Sequence, residues 1–400
     1  IMLKMFLLLY ADDTVICADE LQKALNALPD YCEEWSLRIN SSKTKVLVFS
    51  KGKIRNIPKI KNRGQDIEVV FGFQYLGIYF NYNNKFTLAQ KQLYKKALRA
   101  MYSLVRKSKQ LMLPLDIKID LFDRMITPIL LYGCEAWCPS MISLASRLQL
   151  RYYKIILNLG KTTPSCMVYG ELGQFPLEVQ AKCRMMCFWF KLVNSDNSNK
   201  FSSIMYKFLH QLYVTDRYKS PFLIYVNEIL NSLGMSGTWI NQFELQCTHV
   251  HFKSKITQCL KDQYIHRWFS EINSNIIYTN YRMFKTKLAF ENYLSLLSEK
   301  TALIFLKFRT LNHKLPIQRG RMTNVPHNER ICTKCLSNDL GDEYHYVFKC
   351  PYFKESRYKL LPKFFNKNPN ALKFHMLFNS KNNRILVKLV LFLKNILSKF

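Results

Sequence analysis

Phe6-Leu7-Leu8-Leu9-Tyr10-Ala11-Asp12-Asp13-Thr14-Val15-Ile16-Cys17-Ala18 decides how the rest of the chain is read. An apolar run, a tight acidic dipeptide and a second apolar run predict a buried β-hairpin with its turn at the carboxylates. Asp is a common turn residue, so an isolated Asp-Asp turn needs no function. These flanks are apolar enough to bury the strands, which would leave both acids at the edge of a core. Adjacent carboxylates repel, and a divalent cation between them and a phosphate relieves the repulsion. Neighbouring strand residues face opposite ways, so Asp12 and Asp13 cannot contribute equally. The first eleven residues also have the form of a signal peptide, but no small-x-small cleavage site precedes the acids.

The 400 residues allow two or three domains, and a hydrophobic share of 48% excludes a disordered chain. Lys and Arg number 59 against 28 acids, a formal charge of +31. So large a charge repels itself unless a polyanion is near, which points to nucleic acid. A basic membrane protein is the rival reading. No apolar run reaches the ~20 residues of a membrane helix, and Ile385 to Leu393 comes nearest. Twelve cysteines occur, four at metal-ligand spacing and the rest scattered. That usage suits a reducing compartment, so the expected location is intracellular, in nucleus or cytoplasm, and not secreted.

Leu21, Ala24, Leu25, Leu28, Cys32 and Trp35 predict a helix from Glu20 to about Trp35, kinked or broken at Pro29. Val46 to Phe49 predicts a strand, with Lys43 in the loop before it. Two short strands are expected around Gly72 and Gly77, where a glycine marks a close backbone approach or a bulge. Phe86 to Gln110 predicts an amphipathic helix carrying Lys91, Lys95, Lys96, Arg99, Arg106 and Lys107 off its apolar side. Such a helix lies on a membrane, fits a partner's groove or tracks phosphates. A second helical pattern runs from Leu115 to Trp137 past Pro128, with Tyr132 and Trp137 read as packing residues. Residues 140 to about 300 are mainly helical in pattern. They contain a loop-rich break between Gly160 and Pro176, a buried stretch from Arg184 to Leu192 and a polar linker from Ser195 to Lys200. Cys247, His249, His251 and Cys259 match no metal-ligand spacing and read as packing residues, with His249 and His251 alternating as on a strand.

Cys332-x2-Cys335, nine residues, then His345-x4-Cys350 is the strongest chemical signal in the chain. Three sulfurs and one imidazole complete a tetrahedron, as structural zinc requires, and leave no position for a catalytic water. Binding would contribute much of this small unit's folding energy. Arg330, Lys334, Lys349, Lys354 and Arg357 around it are suited to phosphate contact. Tyr344, Tyr346, Phe348, Tyr352 and Phe353 would pack its core or stack on bases.

These segments together resemble one family, the reverse transcriptases of LINE-type non-LTR retrotransposons. Tyr10-Ala11-Asp12-Asp13 resembles the palm hairpin. Glu34 to Asn40 with Lys43-Thr44-Lys45 resembles the next palm segment. Gln74-Tyr75-Leu76-Gly77-Ile78 resembles the primer-grip hairpin, and Ile129 to Trp137 the thumb. The basic segment from Phe308 to Arg321 resembles the approach to the terminal cluster. Asp342-Glu343-Tyr344-His345 and Cys350-Pro351 resemble the zinc-binding region at the end of these proteins. The likeness is patchy between about 160 and 300.

The resemblance implies an α+β fold: a small antiparallel palm remnant, a mostly helical thumb and C-terminal region, and a small zinc-binding unit. It divides the chain into a partial palm (1–85), thumb helices (86–160), a helical connecting region (161–300), a zinc-binding unit with its basic approach (301–360) and a basic C-terminal helix (361–400). It implies RNA-directed DNA polymerase chemistry, in which two Mg²⁺ ions promote in-line phosphoryl transfer to a primer on an RNA template. Asp12 would be the main Mg²⁺ ligand and Asp13 would assist. Tyr10, Lys43, Tyr75, Leu76 and Gly77 would meet the nucleotide or primer. Cys332, Cys335, His345 and Cys350 would hold Zn²⁺. The partners implied are template RNA and primer or target DNA, and no membrane. Fingers and a further palm Asp are expected upstream of Ile1, so this chain alone is expected to be inactive. The alternative is an inert nucleic-acid-binding remnant that grips phosphate with its thumb and zinc unit.

Overall fold

Strands β1 (Met5–Tyr10) and β2 (Asp13–Ala18) pair antiparallel, with Tyr10 opposite Asp13. Only two residues lie between, and Ala11 takes a left-handed φ of 52°, as such tight hairpin turns demand. The computed structural model describes residues 5–11, 13–18, 21–50, 52, 59–137, 142–194 and 200–400. Asp12 and the expected linker at 195–199 lie outside the described residues. The fold is α+β, a small and mainly antiparallel β region followed by a mostly helical chain with a Cys/His cluster. It divides into two compact units, Ile1–Leu93 and Tyr94–Phe400.

In the first unit, helix α1 (Leu21–Glu34) packs its apolar face on Val46 and Ile60, with Ile16 from the hairpin beside them. The helix runs unbroken through Pro29, so the expected break does not occur. The short strand β3 (Val46–Leu47) pairs in parallel with Val69–Val70. The hairpin Gly72–Tyr75 with Ile78–Asn81 turns at Leu76 and Gly77, both left-handed. Gly77 is therefore a turn residue, neither a bulge nor a gap inside a strand. The tip of the acidic hairpin is not buried as expected. Leu9 is 62% exposed, Tyr10 is 64% exposed, and Leu8 and Asp13 are also exposed. Among the described residues it is a two-stranded ribbon, and a lone ribbon cannot cover both of its faces.

Helix α2 (Thr87–Gln110) leads into the second unit. The pattern from Leu115 to Trp137 resolves into helices Leu115–Met125, Thr127–Leu130 and Cys134–Trp137, with Pro128 in the first turn of the middle one. Trp137 is buried, whereas Tyr132 is exposed. Helix Leu177–Val193 lies along helix His249–Ser274, where Phe190 stacks on Phe252 at 4.3 Å. Met185, Met186, Trp189, Phe190 and Leu192 are buried there, as the dense apolar stretch predicts. Gly170 lets Trp268 and Tyr281 close over helix Ser165–Leu172; a Cβ there would sit 2.7 Å from the Tyr281 hydroxyl. His249 and His251 start a helix rather than alternating on a strand. The last helix, Asn383–Leu397, buries Leu386, Leu389, Leu393 and Ile396 against helices Glu299–Arg309 and Lys354–Leu360. No helix of the described residues is long and apolar enough to cross a membrane.

The centre of this unit holds a buried ion group. Arg309 bonds Glu171 through Nε at 2.9 Å and Glu291 through Nη2 at 2.9 Å, and both Arg309 and Glu171 are fully buried. Tyr293 donates to Glu171 at 2.7 Å, Lys285 pairs with Glu291, and the guanidinium lies 4.4 Å from the Phe284 ring centroid. The basic segment expected to approach the terminal cluster thus begins with an arginine committed to the core.

Candidate metal centre and nucleic-acid face

Cys332 and Cys335 sit on a tight knuckle. Its legs are tied by the Cys332 amide donating to the Asp339 carbonyl and the Gly341 amide donating to the Arg330 carbonyl, both at 2.8 Å. His345 opens a short π-helical turn, His345–Lys349, and Cys350 follows it, its amide donating to the His345 carbonyl at 2.8 Å. The four ligand atoms lie within 4.8 Å of one another. Cys332 Sγ and Cys350 Sγ are 3.9 Å apart, and Cys335 Sγ is 3.4 Å from His345 Nε2. Tetrahedral zinc with bonds of about 2.3 Å to sulfur and about 2.0 Å to nitrogen needs separations of roughly 3.5–3.8 Å. The cluster fits zinc, and no other group of metal-ligating side chains occurs among the described residues.

The surroundings favour ligation. Burial holds His345 below the usual histidine pKa, which keeps the neutral ring that binds metal. Its Nδ1 lies 3.4 Å from the Asp339 carboxylate, within ion-pair reach and where an outer-sphere partner of a ligating imidazole would stand. Burial pushes the Cys350 thiol up to about 12, so a cation is needed to hold its thiolate. The Lys334 amide points at Cys332 Sγ at 3.4 Å, and Ser337 Oγ lies 3.1 Å from Cys335 Sγ.

A polar group that sequence reasoning missed locks this unit in place. Glu343 is buried beside His313, whose Nε2 is 2.9 Å from Oε1, and it accepts from Asn280 at 2.5 Å. Hydrogen bonds and charge from His313 overcome burial and hold Glu343 below the usual carboxylate range. Asp342 accepts from the His345 amide at 2.7 Å and from Asn280 at 3.1 Å; burial and then Glu343 push its pKa up to about 6. Two of the expected phosphate contacts are also structural. Arg357 is buried and donates to the Val347 and Cys350 carbonyls at 2.7 Å, and Arg330 donates to the Val325 carbonyl at 2.9 and 2.8 Å. Lys349 and Lys354 remain exposed, and Lys334 is half-buried. Tyr346, Phe348 and Phe353 are buried and pack the core.

The residues matched to a polymerase site are spread over the first unit. Asp13 and Tyr10 face each other at the exposed hairpin tip, and Asp12 is not described. Lys43 is exposed in a turn, its amide donating to the Asn40 carbonyl at 3.1 Å. Tyr75, Leu76 and Gly77 form the tip of the second hairpin.

In the second unit the sequence pattern becomes a charged face. Lys95, Arg99, Tyr102, Arg106 and Lys109 are spaced four, three, four and three residues apart on α2, and all are exposed. At 3.6 residues per turn they fall within about 80° of arc, opposite the buried Ala97, Met101 and Leu104. No acid occurs between Glu68 and Asp116. Arg151, on helix Ile142–Ile156, lies over the Tyr102 ring at 5.3 Å from its centroid.

Comparison with known proteins agrees with this picture at low identity. The chain is 28% identical over 135 residues to a transposon-derived protein of Caenorhabditis elegans. It is 25% identical over 141 residues to the RNA-directed DNA polymerase from mobile element jockey of Drosophila melanogaster. Each match takes in 32% of this chain, and it covers 47% of the first relative and 15% of the second. No family model and no solved structure matches. The relatives are thus products of transposable elements, one of them a polymerase that copies RNA into DNA.

Proposed function

We propose that the chain is the C-terminal part of the RNA-directed DNA polymerase of a non-LTR retrotransposon. In this reading residues 1–85 belong to the palm, 86–160 to the thumb, 161–300 to a helical connecting region, 301–360 to a zinc-binding unit and 361–400 to a basic C-terminal segment. Asp12 and Asp13 would ligate Mg²⁺ once further palm carboxylates complete the site, and the hairpin tip at Tyr75, Leu76 and Gly77 would steady the primer. Zinc, held by Cys332, Cys335, His345 and Cys350, is structural. The ion supplies cross-linking and no open coordination position. The chain's own part is to present three thiolates and a neutral ring on a knuckle already closed by backbone hydrogen bonds.

The observation that carries the reading is the acid-free cationic stripe on α2, which follows the second hairpin directly in sequence. Four charges in one line match the repeat of a phosphate backbone better than a compact anionic ligand. Tyr102 in their midst offers a ring on which a base or sugar can rest. The test is equilibrium binding of an RNA–DNA duplex at salt concentrations from about 50 to 200 mM. Neutralising Lys95, Arg99, Arg106 and Lys109 to Gln is expected to weaken binding at low salt and to lower the salt slope by as much as ~3–4. A wild-type affinity indifferent to salt, or a slope untouched by the four substitutions, would sink the proposal.

A further inference from the structure

Helix α2 ends on two large apolar side chains that the described residues leave open. Leu111 is 68% exposed and Met112 is 85% exposed. The turn that carries them is closed by backbone hydrogen bonds. The Leu111 amide donates to the Lys107 carbonyl at 2.9 Å, the Met112 amide to the Lys109 carbonyl at 3.3 Å and the Leu113 amide to the Ser108 carbonyl at 3.0 Å. This closure puts one residue in the left-handed region, and Met112 takes it with a φ of 48°. Glycine and asparagine fill that position at least cost. The chain follows this preference at other helix ends, where Asn158, Gly173 and Gly234 stand in the same place. Leu311 is a bulky apolar residue at such an end too, but it is only 4% exposed, so burial offsets the strain. At Met112 no burial offsets it. A residue that breaks a local rule without gain to the fold points to a role outside the fold.

The surroundings indicate what meets these side chains. The stripe from Lys95 to Lys109 covers about 21 Å of helix at 1.5 Å per residue, and the apolar pair follows at its end. Arg106, Lys107 and Lys109 stand exposed just before it, and the first acid, Asp116, comes after Pro114. A matching partner carries a line of negative charge with apolar surface beside it. Nucleic acid has both, phosphates outside and base faces within. An anionic bilayer would also attract the charges, but its hold grows with buried apolar area, and two side chains offer little. Proteins that enter a nucleic-acid groove, by contrast, insert single Leu or Met side chains at a base step. Resting on the reading of the stripe as a phosphate track, we propose that Leu111 and Met112 form a wedge that enters a base step of the bound duplex and unstacks it. The stripe supplies attraction that salt weakens, and the wedge supplies contact that salt does not.

The test uses the full chain and a short RNA–DNA duplex with 2-aminopurine placed at successive positions of the DNA strand, since this base brightens when unstacked. Wild type is compared with the double variant Leu111→Gln, Met112→Asn and with Val250→Gln, which removes an apolar side chain 77% exposed on another helix. Wild type and Val250→Gln should brighten the probe at one step. The double variant should leave it dark and bind about tenfold more weakly, as the loss of apolar burial requires, with the salt slope unchanged. It should melt no lower than wild type, because asparagine suits the left-handed position. A lower melting point would show that the pair serves the fold and would overturn the inference. So would a salt-dependent wild type that brightens no position, or a double variant that brightens the probe as wild type does; in both cases the phosphate track survives. Preferred binding to vesicles of equal parts phosphatidylserine and phosphatidylcholine, lost in the double variant, would assign the tip to a membrane instead. A wild type indifferent to salt fells the stripe first and the wedge with it.

Discussion

Asp339 holds a carboxylate 3.4 Å from Nδ1 of His345, on the edge of the ring that faces away from the sulfurs. Asp339→Asn keeps the size and removes the charge. About tenfold weaker zinc binding is expected, measured by competition with a chromophoric chelator; an unaltered affinity would show that Asp339 does not act on the centre. The four ligands were legible in the sequence because they are local. Their spacing alone lets one knuckle and one turn bring them together. Asp339 was not legible, since nothing in its spacing separates it from an ordinary loop residue. Arg309 and His313 were read only as members of a basic segment, and their buried acidic partners were missed. Their acidic partners are remote, Glu171 lying 138 positions away from Arg309, and a sequence read in local windows sees only the positive member of each pair.

Among the elements, the two prolines inside apolar patterns show where local rules stop. Pro128 starts a new helix, where its missing amide costs little. Pro29 lies within α1, which runs on because its apolar face is held by Val46 and Ile60. The acidic hairpin formed with the expected turn, yet Leu8, Leu9, Tyr10 and Asp13 near its tip are exposed, since apolar composition does not specify the partner that would cover them. Helix Glu299–Arg309 carries the sharpest test at this scale. Arg309→Met would leave the buried Glu171 without its guanidinium and Glu291 with Lys285 alone. A loss of about 3–5 kcal/mol is expected, read by chemical denaturation. The double change Arg309→Met with Glu171→Leu should recover part of that loss. A single variant as stable as wild type would mean that the ion group contributes nothing.

For the molecule as a whole, the two units call for separate assays. Binding is expected from the second unit's charged stripe. In the proposed reading the Mg²⁺ site is complete only with further palm carboxylates, and two-metal transfer needs several oxygen ligands. Purified chain with an RNA template, DNA primer and Mg²⁺ should therefore bind but not extend. Extension that disappears in Asp12→Ala would overturn this expectation. The α+β class was readable from composition and motifs. The packing of 161–300 was not, since its helices are joined by contacts such as Phe190 on Phe252 that no spacing announces.

The Asn280, His313 and Glu343 cluster has a practical corollary for anyone wishing to borrow the knuckle. A synthetic peptide from Cys332 to Cys350 would contain every donor atom for zinc. It would also bring Glu343 into water, stripped of the two side chains that seat it. Such a fragment should chelate the ion yet fail to adopt the shape seen here, so grafting this finger into another scaffold requires transplanting its distant sockets as well.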